Sequence, residues 1–382
     1  MKKFAYIALT MMLVFAACTK VETYPEAESR ISFAVGSYMR QTKADEVSFL
    51  GEFANSADAR FRSMAYMHGA GVSGTQDFFG TAGETITWNV TAAEWAPSHD
   101  YYWPKSSESY IDFLSWYDKN NFVDPTLFVD PTLGYSYDEG TKLASATMSW
   151  TNRKIVADDN ILVADVAWRQ QSNAQTYLKD GVTAGVPTLF RHYLSRVKVN
   201  VRSRYVTDPS NANVTYEVIL QNAKIEGLHH QGSLSLTNAD PGTPGTTPWT
   251  AASGTDYLWT AGGNASDLNL VSSNTTVSTT DQAILGQRAF LPQALSNDVK
   301  LVFTYTVSSK SNGTVTSSES NIPATIVLNT IKNASDVAIN GWLPNKSYTY
   351  TIVIDPINKE ILLKPVVAND WDFSPDINVT VE

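Results

Sequence analysis

The chain has 382 residues, 43% of them hydrophobic and 17% charged, with a formal net charge of −10. That length is enough for two ordinary domains with cores of their own. The modest acidic balance, without any basic run, argues against nucleic acid as a partner and against an electrostatic grip on anionic lipid. Cys18 is the only cysteine, so a disulfide within the chain and metal centres held by several thiolates are excluded.

At the N-terminus, Lys2 and Lys3 precede the apolar run Phe4 to Ala17, which closes on Phe15-Ala16-Ala17-Cys18. A charged start, an apolar stretch too short for a span of about 20 residues, and small residues before a thiol predict a lipoprotein signal peptide over 1–17. Cys18 is then the lipid attachment site, and the mature chain is exported and tethered to a membrane. Ile31, Phe33 and Val35 alternate with Ser32 and Ala34, predicting a short strand with one apolar face. The polar stretch Arg40-Gln41-Thr42-Lys43-Ala44 follows. Arg40 and Lys43 are candidate cleavage points for a trypsin-like protease, or ordinary solvated cations in a loop.

A short helix is expected near Ala54 to Tyr66. Period-two runs dominate elsewhere and predict strands at Thr85–Val90, Tyr110–Trp116, Leu194–Val201, Val214–Leu220, Val299–Val307, Ala324–Leu328, Tyr348–Ile354 and Glu360–Val367. Asn312-Gly313 between two such runs predicts a hairpin turn. Asn238 to Gly263, with its prolines and glycines, reads as a long surface loop. The chain divides near Asp180-Gly181 and Gly185-Val186-Pro187. The expected segments are the signal peptide, an N-terminal segment 18–43 carrying the first strand, a β-sandwich domain over 44–185 and a second over 186–382.

Catalytic chemistry is missing from the pattern. No nucleophile elbow, phosphate-cradling glycine loop or metalloprotease helix occurs, so neither an enzyme nor a cofactor is expected. His192 reads as a structural hydrogen-bonding residue, and His229-His230 point to opposite faces if they lie in a strand. Asp158-Asp159-Asn160 lacks the spaced oxygens of a calcium loop and reads as a solvated turn. Aromatics crowd between Trp95 and Tyr117. Packed inward they are core; exposed, Trp103 and Trp116 are candidate contacts for a stacked sugar. The hexapeptide Phe122-Val123-Asp124-Pro125-Thr126-Leu127 is repeated as Phe128 to Leu133, a short duplication suited to an exposed loop.

Several segments resemble fimbrillin-like proteins of Bacteroidales. Leu189-Phe190-Arg191-His192-Tyr193-Leu194-Ser195-Arg196-Val197 is similar to the strand that opens their C-terminal domain. Gly341-Trp342-Leu343-Pro344-Asn345-Lys346-Ser347-Tyr348-Thr349-Tyr350 is similar to their tryptophan, turn and Tyr-x-Tyr strand. Ile31-Ser32-Phe33, Asp112-Phe113-Leu114, Phe290-Leu291-Pro292-Gln293 and Val366-Val367-Ala368-Asn369-Asp370-Trp371 also match, in the family's order.

The resemblance implies an all-β fold of two transthyretin-like Greek-key β-sandwich domains in tandem. It also implies a structural or accessory subunit of a type V pilus with a role in adhesion. The precursor would sit in the outer membrane through lipid on Cys18, and assembly would follow proteolytic removal of the first strand. Its partners would be other fimbrial subunits, joined by strand addition, and a host or bacterial surface glycan or protein. The residues themselves suit this scheme: Ile377, Val379 and Val381 form a second period-two ridge, a candidate donor strand, or else a native edge strand. A surface glycan-binding lipoprotein that does not polymerise is the alternative.

Overall fold

The computed structural model describes residues 30–37, 59–69, 72, 74–171, 185–240, 246–252, 257–260, 263–265, 268–271 and 273–371. The fold is all-β; among the described residues the helical content is one 3-10 turn, Leu328–Thr330.

The N-terminal half builds a closed ladder. Its strands are β1 (Phe33–Ser37), β2 (Arg60–Gly69), β3 (Glu84–Asn89), β4 (Glu94–Pro97) and β5 (Ser109–Asp118). The chain then forms β6 (Thr132–Asp138) and β7 (Leu143–Lys154) in a second sheet, and returns as β8 (Ile161–Ala164) and β9 (Val186–His192). Hydrogen-bonded neighbours follow the order β5-β8-β9-β1-β4-β3-β2, and β2 pairs again with β5. The ladder therefore closes into a ring, from which two short strands, Ala167–Gln170 on β5 and Gln76–Asp77 on β2, branch off, and closure leaves few free edges on which other chains could pair. Its interior holds Ile31, Phe33, Phe61, Ile86, Trp95, Ile111, Phe113, Leu162, Val186 and Phe190.

β2 corrects the helix expected over 54–66, whose residues 54–58 lie outside the described set. Phe61 and Ala65 face the ring interior, whereas Met64 and Tyr66 belong to a second core outside it. A strand buried on both faces is apolar on both, so it lacks the alternation that marks a half-buried one.

The C-terminal half continues with β10 (Ser195–Ser203), β11 (Asn211–Glu226), β12 (Gln231–Thr237), β13 (Trp249–Ala251), β14 (Gln282–Phe290), β15 (Lys300–Ser311) and β16 (Thr314–Val327). It ends with β17 (Lys346–Asp355), β18 (Glu360–Leu363) and β19 (Val367–Asp370). One sheet runs β14-β10-β17-β18 with β19 also on β17, and another contains β11-β15-β16. These two enclose a core of alternating side chains, including Val197, Val199, Val201, Leu220, Leu301, Phe303, Tyr348, Tyr350 and Ile352. Asn312 (φ 47°) and Gly313 (φ 80°) turn β15 into β16, the left-handed pair that a tight hairpin needs.

Trp342 is fully buried, and its Nε1 donates to Tyr350 Oη at 2.9 Å. Tyr348 Oη accepts the Leu343 backbone N–H at 3.0 Å. This explains the tryptophan, turn and Tyr-x-Tyr pattern, since both tyrosine hydroxyls satisfy polar groups of the turn that a buried tryptophan would otherwise strand.

The sheet β6-β7-β12-β13 lies over the ring, and Met148, Trp150, Leu234, Leu236 and Trp249 pack with Met64, Tyr66, Leu114, Trp116 and Val163. The loop expected over 238–263 is thus interrupted by β13, whose Trp249 is buried and donates through Nε1 to the Tyr193 carbonyl. At the end of β5 and β7 sits a buried ion triad. Arg153 contacts Asp118 at 2.7 Å and Asp159 at 3.0 Å, and all three are enclosed. Asp159 is therefore no solvated turn residue, although Asp158 beside it is exposed. Burial pushes the Asp159 carboxyl up and Asp118 adds to this, against the opposing pull of Arg153. The repeated hexapeptide adopts two conformations. Phe122 packs against Tyr117, whereas Phe128 is buried under the Arg153 guanidinium at 4.4 Å from its ring centroid.

Removing one member of such a triad strands the remaining charges. Arg153→Met should cost about 3–5 kcal/mol of unfolding free energy by urea titration.

Candidate functional site

The residues with the clearest shared role surround β1. Short alternation makes it: Ile31 and Phe33 are 1% exposed, and Val35 packs half-buried against the same core. Ser32 and Ala34, on the other side of the pleat, are buried too. This segment therefore lies inside the ladder with both faces covered, and the small residues between its knobs let it fit there.

Pairing is unequal on the two sides. Toward β9 the strands run parallel, with register from Phe33↔Val186 to Ser37↔Phe190. Toward β4 a single antiparallel pair is made, Phe33↔Trp95. The residues just ahead of β1 extend both sides: Ile31 N–H donates to the Tyr101 carbonyl at 2.8 Å, beyond β4, and on the β9 side Ser32 C=O accepts from Val186 N–H at 2.7 Å. Phe33 is the central knob. Its ring meets Phe61 and Phe113 edge-on, each at 5.6 Å between centroids, and Phe61 in turn meets Phe190 at 5.2 Å. Gly185 lets the two main chains approach closely, because a Cβ there would stand 2.6 Å from the Phe33 carbonyl carbon.

Ahead of the ridge lies a charged mouth. Arg30 pairs with Asp100 at 3.1 Å and with Glu94 at 3.7 Å. Next to it, Glu84 accepts hydrogen bonds from Ser98 at 2.5 Å, Tyr101 Oη at 2.7 Å and His99 Nδ1 at 3.0 Å. Burial raises the Glu84 carboxyl, but the bonds from Ser98, Tyr101 and His99 outweigh it and hold the pKa below the usual value. Burial first, and then Glu84, push the Tyr101 phenol up to about 12.

Other sequence candidates fall elsewhere. Trp103 is 8% exposed and packs edge-on against Phe113 at 5.9 Å. Trp116 is 3% exposed and donates from Nε1 to Asp130 at 3.1 Å. Neither offers a free ring face, so sugar stacking on Trp103 and Trp116 gives way to core packing. His192 has a structural role: Nδ1 bonds Asn160 Oδ1 at 2.8 Å and the ring stacks on Trp371 at 4.4 Å. His229 and His230 lie in a connection rather than a strand. Among the described residues no group of three His, Cys, Asp or Glu is placed to hold a metal. Cys18, Arg40, Lys43, Ile377, Val379 and Val381 lie outside the described residues. Sequence reasoning missed Gly185, Glu84 and the Glu94–Asp100 mouth. Only the Gly185-Val186-Pro187 turn pattern hinted at any of them.

Residues 61–371 match the sequence profile of the fimbrillin-like family. The chain belongs to that family. Membership places it among structural proteins of cell-surface fimbriae rather than among enzymes. Among solved structures, a fimbrial protein from Bacteroides vulgatus is similar at a TM-score of 0.56 and 16% identity, covering 90% of this chain and 99% of that one. A candidate cell adhesion protein from Bacteroides uniformis gives 0.41 and 12%, covering 90% and 99%. The tip fimbrial protein Mfa3 from Porphyromonas gingivalis gives 0.31 and 10%, covering 90% and 100%. No curated protein matches the chain in sequence.

Phe33→Ala should lower unfolding free energy by about 3–5 kcal/mol in chemical denaturation, and Val35→Ala by clearly less. For Glu84 the sign follows from its lowered folded pKa. Its contribution is present above the ordinary value of 4.5 and is lost as pH falls through the folded one. Glu84→Gln should therefore lose less stability between pH 7 and pH 3 than the parent does, as read from urea midpoints.

Proposed function

We propose that this chain is a fimbrial subunit made as a lipidated precursor, and that it assembles by exchanging β1 for a strand of another subunit. One observation carries the reading: β1 is an interior strand whose central phenylalanine fills the ring, yet it sits at the N-terminal side of Arg40 and Lys43. A cut at either residue would leave β1 held by non-covalent contacts alone.

Lipid and cleavage fit together as stages. Acylation at Cys18 contributes about 0.8 kcal/mol of membrane affinity per buried methylene, so several chains hold a precursor at the outer membrane. Proteolysis after Arg40 or Lys43 separates the subunit from that anchor and permits β1 to leave. Loss of β1 would unpair β9 on one side and wet the pocket formed by Phe61, Phe113 and Phe190, a strong drive to accept a replacement strand. The ridge Ile377, Val379 and Val381 is what this chain has to lend to a neighbour. A role in adhesion to a surface is part of the same reading.

Limited digestion of the purified precursor with a trypsin-like protease should give one N-terminal truncation starting after Arg40 or Lys43. Light scattering should then report species larger than a monomer once β1 is displaced in the presence of other fimbrial subunits. Degradation throughout the chain, or a truncated form that stays monomeric on its own and with other fimbrial subunits, would sink the reading.

A further inference from the structure

The slot of β1 carries two recognition features that its own C-terminal ridge fails to satisfy. The first is the central pocket. Phe33 fills it completely, with edge-on contacts to Phe61 and Phe113. In the ridge Ile377, Val379, Val381 the central knob is Val379, whichever way the strand runs. Valine leaves unfilled the space a phenyl ring occupies, and unfilled space in a packed core is costly. The second is the mouth. In β1 the residue before the ridge is Arg30, held between Asp100 and Glu94. In the C-terminal ridge the flanking residues are Asp376 at one end and Glu382 at the other. Either direction of entry therefore sets an acid against two acids.

From this mismatch, and resting on the strand-exchange reading above, we infer that the strand replacing β1 comes from a different subunit rather than from a second copy of this chain. Its chemistry is fixed by the slot: a cation one position before a period-two ridge, and an aromatic ring at the ridge's centre, with small residues between the knobs. The pocket supplies affinity, because it buries a large apolar group out of water. The mouth supplies discrimination: charges at a rim steer encounter and penalise like-charged partners. The chain's own tail, with its acids and its smaller central knob, suits a different acceptor. Such a mismatch makes assembly directional and keeps copies of this subunit from filling one another.

The test uses the full chain, nicked in place after Arg40 or Lys43 so that β1 remains bound. Labelled peptides compete for the slot, and native mass spectrometry reads displacement of the resident fragment. A peptide of residues 30–37 should exchange in. Its Phe33→Val form should bind at least about tenfold more weakly. Its Arg30→Asp form should be weaker by about three- to tenfold at low salt, with the difference closing at about 1 M salt. A peptide of residues 376–382 should show the combined deficit, and its Asp376→Arg, Val379→Phe form should recover most of it. Glu94→Lys with Asp100→Lys in the nicked chain should invert the charge preference. If residues 376–382 exchange as well as residues 30–37, selectivity against the chain's own tail is wrong. If even residues 30–37 fail to enter, strand exchange itself fails and the inference falls with it.

Discussion

The N-terminal half depends on a single constraint, that its ladder of strands must close. Seen from β9, the nearest way to satisfy its unpaired amides is β1, and seen from the ring interior, the group that fills the centre is Phe33. Backbone pairing and apolar burial therefore converge on the same few residues. Closed ladders are stable because no row of donors and acceptors is left facing water. The same closure makes one strand indispensable, and here that strand is short, near the beginning of the chain and linked to the rest through a stretch containing basic residues.

Around this ring the other features act as supports. The sheet β6-β7-β12-β13 covers the outer face of the ring with a second core, and the buried triad of Asp118, Arg153 and Asp159 joins the end of β5 to the turn before β8. Arg153 keeps its charge although burial opposes it, because two carboxylates flank it. Trp371 stacks on His192 and lies under the Arg196 guanidinium, so the last described residue packs where the ring chain passes into the C-terminal sandwich. Family motifs that look unconnected in sequence, Leu189 to Val197 and Val366 to Trp371, meet at this place.

Much of the architecture was legible in the residues, and the reasons are local. Asn312-Gly313 announced its hairpin because few other dipeptides adopt two left-handed conformations in succession. The runs at Tyr110–Trp116 and Tyr348–Ile354 became β5 and β17, and Ile31, Phe33 and Val35 lie on one buried face, as alternation demands. What stayed hidden was either two-sided burial or distance. β2 resembled a helix because apolar residues occupy both of its faces. Trp103 and Trp116 read more simply as core, yet a platform stayed open, since sequence records an aromatic ring but not which way it faces. The pairing of β1 with β9 joins segments about 150 residues apart in parallel, and parallel neighbours leave no turn signature between them. Gly185 was visible only as a turn former, although its role is to let one main chain lie against another.

The interior placement of β1 also bears on tension. A strand at the margin of a sheet can be peeled away one bond at a time, starting from its exposed side. A strand with neighbours on both sides, pulled along its own axis, loads its whole row of hydrogen bonds together and drags a buried phenyl ring past two others. A filament whose joints are made in this slot would resist shear in flowing liquid far better than the modest length of each joint suggests.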